Sequence, residues 1–153
     1  MPKNRPAYIL FSVLLVLAIN SVFAQCTPNK TAKELKPKMA PYNYDSYSYN
    51  EITFADTAQT LEVGFTAFSD VKYRLIFAAS PFDEAVKVSV YDKSLGSGAR
   101  KKVYSNKTGL NNSSWTLDLS APGVYYIDYE IPAKGSSKSP DGCVILLIGF
   151  QQD

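Results

Sequence analysis

The chain of 153 residues has no histidine, only two cysteines and no long stretch with the 3.6-residue period of a helix. Histidine is the usual base beside a serine or cysteine nucleophile, so its absence argues against that class of enzyme. Two cysteines without histidine do not complete a zinc site. The sequence "GSG" at Gly96–Gly98 precedes no helix, so it is not a phosphate-binding loop. We therefore expect no catalytic residue, no metal and no cofactor.

Beyond the first 24 residues, basic and acidic residues are equal in number. Lys and Arg number 16 against 14 Asp and Glu, and two of the basic residues, Lys3 and Arg5, lie in the first 24 residues. Nucleic-acid binding requires clustered Lys and Arg, so we expect no nucleic-acid partner. We interpret the one basic run, Ala99–Lys102, as a solvated loop or a sheet edge that resists pairing with another sheet.

Residues 1–24 have the pattern of a secretory signal peptide. Lys3 and Arg5 precede the apolar run Tyr8–Ile19, and the small residue Ala24 stands just before the expected cleavage site. The apolar run holds about a dozen residues, fewer than the roughly 20 that span a bilayer. We predict cleavage, no membrane span thereafter, and a secreted or periplasmic protein that is free or associated with the envelope. The alternative is an uncleaved membrane anchor.

Residues 25–153 have the length of a single domain with one core. Their two cysteines, Cys26 and Cys143, are predicted to form a disulfide, because an exported chain meets an oxidising compartment. The alternatives are two free thiols, or lipid attachment at Cys26. Lipid attachment usually follows a small residue, and Gln25 is not small.

Most of the chain alternates apolar and polar residues, which is typical of strands with one buried face. The predicted strands are Tyr47–Phe54, Thr60–Phe68, Lys72–Ala79, Ala85–Asp92, Lys101–Ser105, Ser114–Ser120, Val124–Ile131 and Cys143–Phe150. The last is apolar throughout, as expected for a central strand covered on both sides. Turns rich in Gly, Pro, Asn and Asp separate the strands. This pattern predicts an all-β antiparallel sandwich of about eight strands, similar to a jelly roll.

One short helix is predicted after the signal peptide. Thr27 suits the N-cap position, Pro28 suits the first turn, and Pro37 would end the helix. A helix of about two turns relies on packing or on the disulfide to persist.

Two stretches, Val86–Asp92 ("VKVSVYD") and Pro122–Ile131 ("PGVYYIDYEI"), resemble the bacterial prepeptidase C-terminal (PPC) domain and allied secreted jelly-roll modules. In those domains a strand ending in an aromatic-Asp step precedes a small-Gly-x-Tyr strand. The resemblance covers about residues 60–150. It implies a β-sandwich in an extracytoplasmic setting and implies no activity.

The segment "APYNYDSYSYNE" contains four tyrosines, Tyr42, Tyr44, Tyr47 and Tyr49. Tyrosine offers a flat, amphipathic contact to a sugar ring or a protein, so these four are the candidate ligand-binding residues. In a regular strand Tyr42 and Tyr44 share one face, and Tyr47 and Tyr49 share the other. At least one pair is then expected to pack on the sandwich, and a purely structural role for the tyrosines stays open.

Two pairs of carboxylates lie close in sequence, Asp83–Glu84 in a turn and Asp128–Glu130 on a strand. Asp128 and Glu130 alternate on one strand face, about 7 Å apart, a separation within the range of an inverting glycosidase. The favoured interpretation is that they mark a solvent-exposed face. Asp70, Asp83 and Glu84 carry oxygen ligands that suit calcium, but no calcium-binding loop motif is present, and turn capping is the favoured interpretation.

The sequence therefore predicts an exported, non-catalytic binding or structural module of the cell envelope or extracellular space. Its expected partner is a protein or an envelope component. The main alternative is a carbohydrate-binding module that uses surface tyrosines. A hydrolase or calcium-dependent enzyme with converging carboxylates, and an assembly subunit of the envelope, are further alternatives.

Overall fold

A computed structural model describes residues 26–80, 82, 85–111, 113–135 and 141–152. The predicted signal peptide lies outside the described residues, as do Asp83 and Glu84. The described part begins with helix α1, Pro28–Leu35, and a 3-10 turn, Lys36–Met39. Strands β1 to β8 follow and span Asn43–Ile52, Gln59–Ala67, Val71–Ala79, Lys87–Tyr91, Lys102–Ser105, Ser114–Leu119, Gly123–Ile131 and Gly142–Gln152.

The strands form two four-stranded sheets, and every hydrogen-bonded pair is antiparallel. Sheet A has the order β1-β8-β3-β6, and sheet B has the order β2-β7-β4-β5. This is the eight-stranded order of a jelly roll, in which two sheets bury their apolar faces against each other. The prediction of an all-β antiparallel sandwich is confirmed.

The first strand differs most from its predicted position. It begins at Asn43, four residues before the expected start at Tyr47, so the tyrosine-rich segment is itself an edge strand of sheet A. The last strand, β8, is central and covered on both sides, as its apolar sequence predicts. Leu146 packs in the sandwich core, whereas Leu147 packs on the other side beneath α1.

The sandwich core is rich in aromatic rings. Phe77 stacks on Trp115 with ring centroids 5.2 Å apart and meets the edge of Tyr129 at 6.4 Å. Full burial of such a side chain contributes on the order of 2–3 kcal/mol. The Tyr129 hydroxyl has no hydrogen-bond partner among the described residues, and burial raises the pKa of this phenol.

A second apolar cluster lies between α1 and the outer face of sheet A. Ala32 and Met39 pack there against Ile145 and Leu147. A Cβ atom at Gly149 would lie 2.7 Å from Met39 Sδ, so this glycine lets the 3-10 turn approach the sheet closely.

Covalent and polar contacts hold this N-terminal segment in place. The predicted disulfide between Cys26 and Cys143 is confirmed, with the two Cα atoms 5.5 Å apart across a sequence separation of 117. The Arg74 guanidinium donates to the Ala40 carbonyl oxygen at 2.6 Å. One detail of the helix prediction is wrong: Thr27 occupies the N-cap position, but its side chain makes no capping hydrogen bond.

Candidate functional site

A groove of about 470 Å³ crosses the outer face of sheet B. We call it the sheet B groove. Thr60, Glu130 and Lys87 lie directly opposite one another on β2, β7 and β4, so they form one polar row across the sheet. The groove is also lined by Gln59, Ala85, Tyr91, Arg100, Lys102, Asp128 and Pro132.

The connection between β4 and β5, residues 92–101, folds across this face, and we call it the β4–β5 strap. The Leu95 backbone N–H donates to a Glu62 carboxylate oxygen on β2, two strands away from β4. The Lys101 backbone N–H donates to Asp92 Oδ1 at 2.7 Å and closes the base of the strap. Gly96 has a φ of 88°, a backbone conformation that glycine adopts without strain.

Arg100 fixes the strap to the sheet. Its guanidinium donates to both carboxylate oxygens of Asp128 and, at 3.1 Å, to Glu62 Oε2. The hydrogen bond with Asp128 is the largest cause that raises the pKa of Arg100. The guanidinium also lies 3.7 Å from the centroid of the Tyr91 ring. A planar guanidinium with two carboxylates and an aromatic face is a rigid arrangement.

Two expectations about this face are wrong. Asp128 was expected to face solvent, but it is 1% exposed, because Arg100 covers it. Arg100 was expected in a solvated loop or edge, but its side chain is 16% exposed and packs on the sheet. Lys102 does lie on the edge strand β5, in agreement with the edge interpretation of the basic run.

The second carboxylate of the groove, Glu130, also has partners within the chain. Ser89 Oγ donates to Glu130 Oε1 at 2.7 Å, and Lys102 Nζ lies 3.6 Å from the same oxygen. A hydrogen bond with Tyr91 is the largest cause that raises the pKa of Lys102. Asp128 and Glu130 are therefore both engaged by cations, and the groove presents fixed donors, acceptors and one aromatic side chain.

The four tyrosines predicted to bind a ligand all lie on one side of sheet A. A β-bulge at Asp45 inserts an extra residue, so Tyr44 lies opposite Gly149 while Tyr47 lies opposite Leu147. Tyr49 is two residues further on the same face. Tyr42 contacts Arg74 on this side as well. The expectation that the tyrosines divide between two faces is wrong, because the bulge changes the alternation.

Three of the four tyrosines already contact neighbouring side chains. Tyr42 lies under the Arg74 guanidinium, with 4.5 Å between the Cζ atom and the ring centroid, and Lys36 Nζ lies 4.5 Å from the Tyr44 ring. The Tyr47 hydroxyl donates to Asn29 Oδ1. Tyr49 is 49% exposed and has the most accessible ring of the four. Ligand binding by these residues stays a prediction.

Of the three carboxylates considered for calcium, the structure describes Asp70. Among the described residues, no group of three or more His, Cys, Asp or Glu side chains lies close enough to hold a metal ion. Asp70 has a φ of 62° in the turn between β2 and β3. Asp83 and Glu84 lie outside the described residues.

Within the described part of the chain, no helix is long and apolar enough to cross a bilayer.

No protein-family model matches the chain, and no curated protein matches it by sequence. Among solved structures, it is similar to PliG of Aeromonas hydrophila, a periplasmic lysozyme inhibitor of g-type lysozyme, with a TM-score of 0.46 and 14% identity over 72% of this chain and 89% of that chain. A CBM4 structure matches with a TM-score of 0.40 and 14% identity over 71% of this chain and 76% of that chain. Neither likeness carries an argument about function.

Proposed function

We propose that this protein is an exported, non-catalytic binding module that contacts a protein or envelope partner through the sheet B groove. The observation that carries the proposal is the fixation of the β4–β5 strap. Arg100 joins the strap to Glu62 and Asp128, so one wall of the groove is held in place before any partner arrives. Preorganisation of this kind lowers the entropic cost of binding.

The chemistry of the groove favours a protein partner. Tyrosine and arginine are enriched at the centres of protein interfaces, and here Tyr91 and Arg100 stack within the groove. Leu95 in the strap is 55% exposed and offers an apolar side chain outside the groove lining. Lys87 is exposed, so it adds a charged group at the other side of the groove.

The engagement of both groove carboxylates supports a role without catalysis. General acid–base chemistry needs a group placed to exchange a proton with a substrate. Asp128 instead accepts hydrogen bonds from Arg100, and Glu130 is held by Ser89 and Lys102.

The disulfide and the strand positions support the setting of the proposed function. A bridge between Cys26 and Cys143 suits an oxidising compartment, which agrees with a signal peptide at residues 1–24 and a mature domain at 25–153. The two stretches that resemble the PPC domain contain β4 and β7, which are hydrogen-bonded neighbours in sheet B.

A pair of matched variants tests the groove. In the groove variant, Thr60→Arg places a large side chain in the groove and Lys87→Glu reverses the charge at position 87. Thr66→Arg with Lys107→Glu makes the same changes at exposed positions outside the groove lining. Each purified protein would be immobilised and incubated with the envelope and extracellular fractions of the source organism, and retained proteins quantified by mass spectrometry.

We expect one partner to be retained by the native protein and by the control variant, and to fall at least about tenfold with the groove variant, since losing 1.4 kcal/mol is a tenfold change. Equal retention by both variants would contradict the groove as the binding site. Cleavage of the partner or of a surveyed glycan by the native protein would contradict a non-catalytic role.

The second candidate function is carbohydrate binding by the surface tyrosines. The exposure of Tyr49 favours it, because an accessible tyrosine face is the surface on which a sugar ring stacks. A glycan array would be probed with the native protein and with Tyr49→Ala. Binding that is lost in this variant, and kept in the groove variant, would support the carbohydrate candidate over the groove.

A further inference from the structure

The N-terminal segment of the described chain carries an excess of positive charge. Between Pro28 and Met39 there are four lysines, at positions 30, 33, 36 and 38, all exposed, against the single acid Glu34. From residue 40 onward the balance is reversed, with ten basic residues against thirteen acidic ones. The segment that packs on sheet A therefore carries a local excess of positive charge.

The lysines extend in two directions over the outer face of sheet A. Lys36 Nζ lies over the Tyr44 ring of β1, whereas Lys38 Nζ donates to Ser114 Oγ of β6 at 2.9 Å. Strands β1 and β6 are the two edges of sheet A, so they are separated by three strand spacings, about 14 Å. Lys30 and Lys33 lie one to two turns earlier along the same segment. We call these four residues the lysine patch.

We propose that the lysine patch docks this protein onto an anionic phospholipid surface. A patch as broad as the sheet matches an extended layer of headgroups, whereas a linear polyanion would contact only one row of the charges. Juxtamembrane and peripheral lysines are attracted to such layers over about one Debye length. Tyr49 is exposed on the same side of sheet A and suits the polar–apolar boundary of a membrane.

This docking is peripheral, and salt weakens it. The apolar side of α1 is already used, because Ala32 and Leu35 pack on sheet A. Among the described residues of α1 and the 3-10 turn, no large apolar side chain is exposed. The proposal does not depend on the sheet B groove, which lies on the opposite side of the sandwich and stays accessible when the lysine patch contacts a membrane.

Vesicle sedimentation tests the proposal directly. Residues 25–153, purified with the disulfide formed, would be mixed with vesicles of equal parts phosphatidylglycerol and phosphatidylcholine. At low ionic strength we expect binding that falls as salt is added, and no binding to pure phosphatidylcholine. The Lys30→Gln/Lys33→Gln variant is expected to bind on the order of 30-fold more weakly, about fivefold per lysine. Circular dichroism would verify that the variant keeps its fold.

The matched control is Lys107→Gln/Lys134→Gln, which removes the same charge from exposed positions outside the patch. It is expected to change vesicle binding less than twofold. An equal loss in both variants would overturn the proposal, because net charge alone would then explain binding. No binding to the anionic vesicles would overturn it, and so would tighter binding to duplex DNA or to soluble polygalacturonate than to vesicles.

Discussion

The two outer faces of this jelly roll are built in different ways. The outer face of sheet A is apolar beneath α1, which covers residues such as Ile76 and Ile145, and carries the Arg74–Asp118 ion pair beside that area. The outer face of sheet B carries charged residues, and among the described residues it is covered only in part, by the β4–β5 strap. Arg100 joins that strap to Asp128 on β7.

The difference separates stability from recognition. An apolar face removed from water contributes roughly 25 cal/mol per Å², and the disulfide keeps the covering helix in place. A network of ion pairs contributes less net stability, because each charge loses its hydration. The ion-pair network does, however, hold polar atoms in fixed positions beside the sheet B groove. We therefore expect changes to the apolar residues between α1 and sheet A to act mainly on folding, and changes on the outer face of sheet B to act mainly on binding.

The largest expected effect is the loss of the disulfide. The Cys26→Ala/Cys143→Ala variant should have a free energy of unfolding lower by about 4–5 kcal/mol, because the bridge restricts a very long loop in the unfolded chain. Urea unfolding of the native and variant proteins measures this difference. Amide hydrogen exchange should also show that α1 loses protection before the sheets do, since an isolated helix of eight residues is unstable in water.

Two outcomes would contradict this account of sheet A. Unchanged stability would mean that packing alone holds the N-terminal segment. Loss of protection in sheet B before α1 would mean that the bridge stabilises the whole sandwich and not this face. Wild-type protein treated with reductant is the control for effects of the alanine side chains.

A smaller effect is expected on sheet B. The Asp128→Ala variant should unfold with a free energy lower by about 2–3 kcal/mol, between the values for exposed and buried pairs, because Arg100 is left mostly buried without its main partner. The variant should also lose binding at the sheet B groove, since the strap is no longer fixed. Arg100→Met/Asp128→Leu should recover much of the stability and none of the binding.

Thermal or urea unfolding measures the stability of these variants, and the capture assay measures their partner binding. If Asp128→Ala loses stability but keeps full partner binding, the strap does not shape the binding site. If the Met/Leu variant restores binding as well, the charges of the network are not needed for recognition.

Alternation along the strands predicts most of this fold, because a strand with one buried face leaves a clear period of two. The even number of cysteines in an exported chain predicts the bridge between Cys26 and Cys143, and the continuous apolar run of β8 predicts its central position. The bulge at Asp45 is not predicted, because a single unpaired residue leaves no compositional mark. It is this bulge that places Tyr44 on the same face as Tyr47.

The sheet B groove is harder to predict from the sequence. Arg100 and Asp128 are 28 residues apart, and their contact depends on a long strap that returns across the sheet. A basic run in a loop, together with outward carboxylates on two neighbouring strands, is the signal that indicates such a pairing. In this chain Glu62 and Asp128 lie directly opposite on β2 and β7, but only the strand register shows that they are neighbours.

The smallest expected effect concerns pH on the covered face. Burial beneath the N-terminal segment is the largest cause that raises the pKa of Tyr44 above its usual value of 10.0. The unfolded chain therefore loses this proton at lower pH than the folded protein does. The resulting contribution to stability is fully present below pH 10 and is lost as the pH rises through the raised value.

The Tyr44→Phe variant should accordingly show a shallower fall in stability above pH 10 than the native protein. The difference should be no more than about 1 kcal/mol, because solvent screens a partly exposed group. Urea unfolding at several pH values between 8 and 11 measures it, and Tyr129→Phe provides a comparison, since burial in the core also raises the pKa of Tyr129. Parallel curves for the native protein and Tyr44→Phe would show that Tyr44 is as well hydrated in the folded protein as in the unfolded chain. The contrast between the two outer faces would then depend on side-chain packing and the disulfide alone.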